Sequence, residues 1–186
     1  HPGNNSLQIK RAKIYLIADE VQKATRLLES VNDAGNYELI LLKVEAFLKS
    51  GRNNEALSLS RNLFENEVDD IDNIALDLAY IFITQLNFEI ALNFLKKGDA
   101  FNNKNIDLLF ELAFCYEQMI EFTKAIETYN RIINIDAYAS EAWFNLGQIY
   151  FSMQDFQNAI DAYDFVLTIN PDDVLTSLQK ADRKSV

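Results

Sequence analysis

Carboxylates make up most of the side chains in this sequence that could do chemistry. The chain of 186 residues carries 28 Asp and Glu residues but only one His and one Cys. The histidine is the terminal His1, so no Ser-His-Asp triad, Cys-His pair or histidine metal cluster can be assembled. Cys115 falls on a helical pattern, and we expect it to be a small core residue rather than a nucleophile. No metal site and no cofactor are predicted.

The densest acidic cluster is Asp69, Asp70 and Asp72. These residues precede a predicted helix and are typical of helix caps, whereas the Gly and Glu of a calcium-binding loop are missing. The chain also has no glycine-rich phosphate loop. No pair of carboxylates is distinguished by its spacing from the many others, so acid-base catalysis has no candidate pair. We therefore predict that the protein is not an enzyme.

Composition excludes several classes of partner. The formal net charge of −11 and the isoelectric point near 4.5 argue against binding to a phosphate backbone, which needs a positive surface. No apolar run reaches the length of a membrane span, and no basic stretch with an apolar core marks a secretory signal. We expect a soluble chain that binds no nucleic acid. It would be cytoplasmic or, if a signal has been removed, periplasmic.

One spacing pattern occurs twice, 34 residues apart, and it indicates which elements position these carboxylates. The second copy has the spacing W-x2-L-G-x2-Y, then A-x3-F, then P, and consists of Trp143, Leu146, Gly147, Tyr150, Ala159, Tyr163 and Pro171. The first copy holds Leu109, Leu112, Ala113, Tyr116, Ala125, Tyr129 and Ala137 in the same columns. The sequence therefore resembles the tetratricopeptide repeat (TPR) family, whose repeat is 34 residues long.

The alanine that opens A-x3-F marks earlier copies as well. It recurs as Ala24, Ala56, Ala91, Ala125 and Ala159. The resemblance implies an all-α fold, a right-handed α-solenoid of about five stacked helix-turn-helix repeats in a single domain over 1–186. The predicted repeats are 5–36, 37–71, 72–105, 106–139 and 140–173, followed by a helix over about 172–183. That last helix either caps repeat 5, which we favour, or offers an apolar surface to a neighbour.

Small residues recur where the two helices of a repeat, A and B, should meet. The column in helix A holds Ala12, Val44, Ala79, Ala113 and Gly147, and the marker alanines form the column in helix B. Large side chains there would wedge the helices apart. Gly98 occupies a position held by larger apolar residues in other repeats. It either ends helix B of repeat 3 or is an internal weak point of a continuing helix.

The resemblance also implies a binding surface. In TPR proteins the A helices line a concave groove that receives a peptide or a partner's helix. Carried over by register, the groove residues are Asn73, Asp77 and Tyr80 of repeat 3, Asp107, Phe110, Glu111, Phe114 and Glu117 of repeat 4, and Glu141, Phe144, Asn145 and Gln148 of repeat 5. The predicted groove is acidic and aromatic.

This composition predicts the kind of protein or peptide that binds. Cochaperone TPR domains that grip a C-terminal carboxylate use cationic groove residues, and a carboxylate would be repelled here. A segment with Lys or Arg between apolar anchors suits the surface better. Two alternatives remain open. The aromatic residues could pack between repeats while the carboxylates form a solvated face, or the chain could be an assembly module that self-associates through its N-terminal end or C-terminal helix.

Overall fold

A computed structural model describes residues 2–33, 35–66 and 70–172. Every regular element in these ranges is an α-helix, so the all-α class predicted from the sequence is confirmed. The predicted helix over about 172–183 lies almost wholly outside the described residues. The helices are α1 (Pro2–Ile17), α2 (Val21–Ser30), α3 (Tyr37–Lys49), α4 (Asn53–Asn66), α5 (Ile71–Thr84), α6 (Phe88–Phe101), α7 (Ile106–Gln118), α8 (Phe122–Ile135), α9 (Ser140–Ser152) and α10 (Phe156–Ile169).

The odd-numbered helices correspond to the predicted A helices, and each ends in the same turn. The second residue after the helix adopts a positive φ, and the next N–H reaches back to a carbonyl five residues earlier, which satisfies carbonyls that a helix end leaves unpaired. In the turn after α7, for example, the Glu121 N–H donates to the Tyr116 carbonyl at 2.8 Å. The positive-φ residues in these five turns are Asp19, Gly51, Leu86, Ile120 and Gln154.

Only one of these five turns uses glycine. Leu86 and Ile120 hold φ values of 58° and 60°, a region that crowds the Cβ of an L-residue and is least favourable for a β-branched side chain. Both side chains are 74% exposed, so burial does not offset the strain. The short turn between the two helices takes precedence over the preference of the residue that occupies it.

The described residues up to Phe94 form one compact unit, and those from Leu95 onward form a second one. In the first unit, α1 packs on α2 and both pack on α3. Further along, the Phe94 ring stacks on Phe82 of α5 at a centroid distance of 5.8 Å and lies 5.7 Å from Phe64 of α4. The core around the first three helices consists of Ile9, Ala12, Leu16, Ala24, Leu28, Val31, Leu39, Leu42 and Ala46.

In the second unit, α7 packs on α8, α8 on α9, and α9 on α10. The end of α6 joins this unit through Asp99, whose carboxylate accepts hydrogen bonds from the Arg131 guanidinium of α8. Gly147 of α9 lies directly against the ring of Tyr163 of α10. A Cβ on Gly147 would stand 2.5 Å from the Tyr163 Cε1 atom, closer than any real contact. Glycine is therefore a steric requirement at this crossing.

The structure decides two local points that the sequence raised. Helix α6 continues through Gly98 to Phe101, so glycine does not end this helix. The expectation that the Asp cluster caps α5 is wrong for Asp70. Asp70 is the residue before the helix, but its backbone is left-handed and its side chain accepts from Asn73 rather than capping an N–H. Asp72 lies inside the first turn and is 6% exposed. Asp69 lies outside the described residues.

The contact at Gly147 predicts a stability effect. Gly147→Ala should lower the free energy of unfolding by about 1–3 kcal/mol, because the new methyl group forces the Tyr163 ring to move. Thermal or urea unfolding measures the change. Gly35→Ala is the matched control, since a Cβ there would meet nothing within 4 Å. Equal stability of both variants would contradict the packing described here.

The strained turn after α7 predicts a substitution that stabilises the chain. Ile120→Asn should raise the free energy of unfolding by about 0.5–1 kcal/mol, because Asn tolerates the left-handed region better than a β-branched residue. Gly51→Ala, at the equivalent turn after α3, should lower it by a similar amount, because alanine would occupy a φ of 79°. Urea unfolding of the two variants beside the unaltered chain is the test. A loss of stability in Ile120→Asn would show that the turn is not strained.

Candidate functional site

Helix α7 presents five of the predicted groove residues on one face. Phe110, Glu111, Phe114 and Glu117 lie three, four, seven and ten residues after Asp107. This spacing places them along one stripe of the helix, since a turn has 3.6 residues. Asp107 and Phe114 are exposed and the other three are half-buried. The stripe combines carboxylates with aromatic rings.

Two of the predicted groove phenylalanines pack inside the helix pairs. The Phe110 ring lies edge-on to Tyr129 of α8 at 6.1 Å, and the Phe144 ring of α9 lies edge-on to Tyr163 of α10 at 5.9 Å. Edge-to-face pairs of this kind stabilise a fold beyond simple burial. Both ring pairs lie within a single repeat, so these contacts are not the packing between repeats that the alternative describes. Phe114 keeps 38% of its surface exposed and is the aromatic residue of α7 most open to a partner.

Tyrosine hydroxyl groups hold three more of the predicted residues. The Tyr129 hydroxyl donates to the Glu117 carboxylate of α7 and accepts a hydrogen bond from the Asn145 amide of α9 at 3.1 Å. One side chain of α8 therefore links the two A helices of this unit. In α10, the Tyr163 hydroxyl donates to Gln148 Oε1 at 3.0 Å.

Sequence reasoning missed the role of these tyrosines, although a signal for it was present. The positions equivalent to Tyr129 and Tyr163 are Leu28, Ser60 and Leu95 in the first three predicted repeats. A buried tyrosine needs a partner for its hydroxyl, whereas leucine does not. The two tyrosines therefore required polar partners on neighbouring helices.

The carboxylates on the two A helices of the second unit lack cationic partners. Neither α7 nor α9 contains a Lys or Arg, and in the described part of the chain no ion pair engages Asp107, Glu111 or Glu141. Two carboxylates outside these helices are paired: Asp99 with Arg131, and Glu121 with Lys124. The acidic charge on α7 and α9 is not neutralised by an ion pair among the described residues.

Burial raises the pKa of two carboxylates on α7, Glu111 and Glu117. Desolvation raises the pKa of Glu111, and the negative charge of Glu141 raises it further. Desolvation also raises the pKa of Glu117, although the hydrogen bond from Tyr129 opposes this shift. In the absence of a cation, ionising Glu111 costs more free energy than ionising an exposed glutamate.

The predicted residues of the first unit lie on α5, which also has no Lys or Arg. Asp77 accepts a hydrogen bond from the Tyr37 hydroxyl of α3 at 2.8 Å, and Asn73 donates to Asp70. The Tyr80 side chain is 61% exposed. This unit therefore presents a second acidic and aromatic helix face, smaller in charge than that of α7.

The structure offers little for catalysis in the residues it describes. Cys115 is completely buried, and desolvation raises the pKa of its thiol to about 12, which opposes formation of a nucleophilic thiolate. Within residues 2–33, 35–66 and 70–172, no three His, Cys, Asp or Glu side chains are grouped as a metal ion would require. Among the described helices, none combines the length and apolar character needed to cross a membrane.

Comparison with protein families identifies the repeats in the second unit. Residues 140–173 and residues 107–136 each match a family model described as tetratricopeptide repeat. The chain contains tetratricopeptide repeats. These segments correspond to predicted repeats 5 and 4, where the resemblance of the sequence is strongest. No curated protein sequence matches the chain.

Solved TPR structures share the fold across most of the chain. YrrB, described as a TPR protein with an unusual peptide-binding site, aligns with a TM-score of 0.64 at 15% identity over 94% of this chain and 90% of its own. MamA aligns with a TM-score of 0.63 at 20% identity over 86% and 94%. TTC0263, a thermophilic TPR protein of Thermus thermophilus, aligns with a TM-score of 0.58 at 18% identity over 98% and 100%. TPR proteins generally act as non-catalytic scaffolds for protein interactions.

The raised pKa of Glu111 predicts that removing its charge stabilises the fold at pH 7 but not at low pH. The pKa of this carboxyl group is higher in the folded chain than its ordinary value of 4.5. The free-energy cost of the buried charge is therefore present at pH 7 and disappears below pH 4.5, where the carboxyl group is protonated in both the folded and the unfolded chain. Glu111→Gln should therefore stabilise the TPR fold at pH 7 by about 0.5 kcal/mol after solvent screening, and by nothing at pH 4. Urea unfolding at both pH values measures this. The exposed Glu127→Gln should change neither, and a destabilising Glu111→Gln at pH 7 would contradict the electrostatics.

Proposed function

We propose that this chain is a non-catalytic scaffold whose A helices bind a partner peptide or helix that carries Lys or Arg between apolar side chains. The observation that carries the proposal is the unpaired acidic face of α7 and α9. Asp107, Glu111 and Glu141 lie there without an ion pair among the described residues. The same acidity disfavours a nucleic-acid partner.

Energetics support a cationic ligand. A half-buried carboxylate without a partner is a cost to the free protein, as the raised pKa of Glu111 indicates. A bound ammonium or guanidinium group would remove that cost and form a charge-assisted hydrogen bond, which is stronger than a neutral one. Binding of a cation would therefore offset the free-energy cost of the half-buried Glu111 carboxylate. Natural scaffolds keep such destabilising groups when a ligand needs them.

The apolar part of the ligand also has a place to dock. Phe114 is 38% exposed and follows Glu111 by one turn on the stripe of α7, which also includes Phe110. An amphipathic helix laid on this face would bring its apolar residues to the rings and its cations to the carboxylates. Peptide binding is also the property named for YrrB, whose fold this chain shares.

A second candidate function is assembly, and one observation favours it. Leu7, Ile14 and Ile17 of α1 are 58%, 63% and 79% exposed, an unusual cluster of large apolar side chains on one helix. Exposed apolar clusters often mark protein interfaces.

Charge reversal tests the proposed site. A fluorescent synthetic peptide with Lys between Leu residues at helical spacing should bind the unaltered chain, and Asp107→Lys plus Glu111→Lys should weaken its binding at least about tenfold, which is about 1.4 kcal/mol. Fluorescence anisotropy measures the affinity. Because Lys at position 111 is half-buried, the neutral variant Asp107→Asn plus Glu111→Gln is measured as well, and it should weaken binding in the same direction.

The control variant carries the same change of charge on other helices. Glu89→Lys plus Glu127→Lys alters two exposed residues of α6 and α8. Its affinity for the peptide should stay within about twofold of that of the unaltered chain, since neither residue belongs to the proposed site and salt screens exposed charges. Equal losses in both variants would mean that the peptide responds only to net charge, and the groove proposal would be wrong.

A further inference from the structure

Helix α1 has two chemically different faces. Ile9, Ala12 and Leu16 are buried in the core of the first unit. Five of its exposed side chains form a stripe that covers about one third of the circumference of the helix, and Ser6 and Lys13 extend the exposed side beyond this stripe. The stripe consists of Leu7, Lys10, Arg11, Ile14 and Ile17. The helix can therefore offer this face to a partner while its other face remains packed in its own fold.

The cations on this face are available for pairing. Helix α1 contains Lys10, Arg11 and Lys13 and no acidic residue. Lys13 lies 3.7 Å from Glu38 of α3, whereas Lys10 and Arg11 have no ion pair among the described residues. Two unpaired cations thus lie between apolar side chains on the exposed side of α1. That is the ligand chemistry inferred above for the acidic face of α7.

The two faces also have the same spacing. Counted from Leu7, the five residues of the α1 stripe stand at offsets of 0, 3, 4, 7 and 10, and the stripe of α7 has the same offsets counted from Asp107. On α1 these offsets hold three apolar side chains and two cations. On α7 they hold three carboxylates and two phenylalanines. Each face is about 15 Å long at 1.5 Å per residue, so the stripes match in length.

We propose that the acidic face of α7 binds the α1 face of a second copy of this chain. The inference rests on the proposed function of that face and names its occupant. Lys10 and Arg11 of one copy would pair with Asp107 and Glu111 of the other, and the apolar side chains of α1 would meet the exposed ring of Phe114. Because the donor and acceptor faces differ, the contact is heterologous, and it either builds chains or closes when two copies exchange their α1 faces.

Reciprocal charge reversal tests the contact. Sedimentation velocity and light scattering over a range of concentrations should show self-association of the unaltered chain that weakens with salt. Lys10→Glu plus Arg11→Glu should weaken the association at least tenfold, and so should Asp107→Lys plus Glu111→Lys. Mixing the two variants in equal amounts should restore it, since each reversed face then meets its complement. Circular dichroism confirms that both variants remain helical.

The control variant changes the net charge by the same amount at residues outside the two proposed faces. Arg26→Glu plus Arg61→Glu alters two exposed arginines of α2 and α4 and should leave the association within about twofold. A chain that stays monomeric at every concentration would overturn the inference, as would a mixture of variants that fails to associate. If the synthetic Lys-Leu peptide still binds the unaltered chain in that case, the proposed function stands without this occupant. If neither copies nor peptide bind, both are wrong.

Discussion

Close contact between the two helices of each pair sets where every other side chain can lie. The five marker alanines are completely buried, and so are the small residues of α1, α3, α5 and α7 that share the column of Gly147. Where α9 meets α10, the space left is too small even for a methyl group. Helices held this closely need short turns, which accounts for the left-handed backbone at Leu86 and Ile120 despite their side chains.

The A helices of the second unit leave acidic charge without a basic partner among the described residues. Beside α8, Asp99 pairs with Arg131 and Glu121 with Lys124. Helices α7 and α9 carry no Lys or Arg, and the negative charge of the exposed Glu141 adds to the cost of ionising the half-buried Glu111. The tyrosine network fixes the geometry of this acidic face, because Tyr129 holds Glu117 and Asn145 at once. We propose that a cationic helix binds this acidic face.

The sequence predicted the helical class and the small-residue columns well, because periodicity and side-chain volume follow directly from the order of residues. It did not predict which groove residues keep free surface. Phe110 and Phe144 pack edge-on to tyrosines whose positions are leucine or serine in the first three repeats, and these contacts depend on the three-dimensional packing of the helices. The cap expected of Asp70 failed because backbone geometry, rather than residue type, decides whether a carboxylate reaches an N–H. The exposed cationic face of α1 also required knowledge of which side of that helix is buried.

The most direct test is the pKa of Glu111 in the free and peptide-bound chain, measured by NMR titration of its carboxyl carbon. If the acidic face binds a cationic segment, this pKa lies above 4.5 in the free chain and falls when the Lys-Leu peptide is added to saturation, because the bound ammonium groups favour the carboxylate. A pKa that stays the same in the saturated complex would contradict the account, since the peptide would then be bound without meeting this carboxylate.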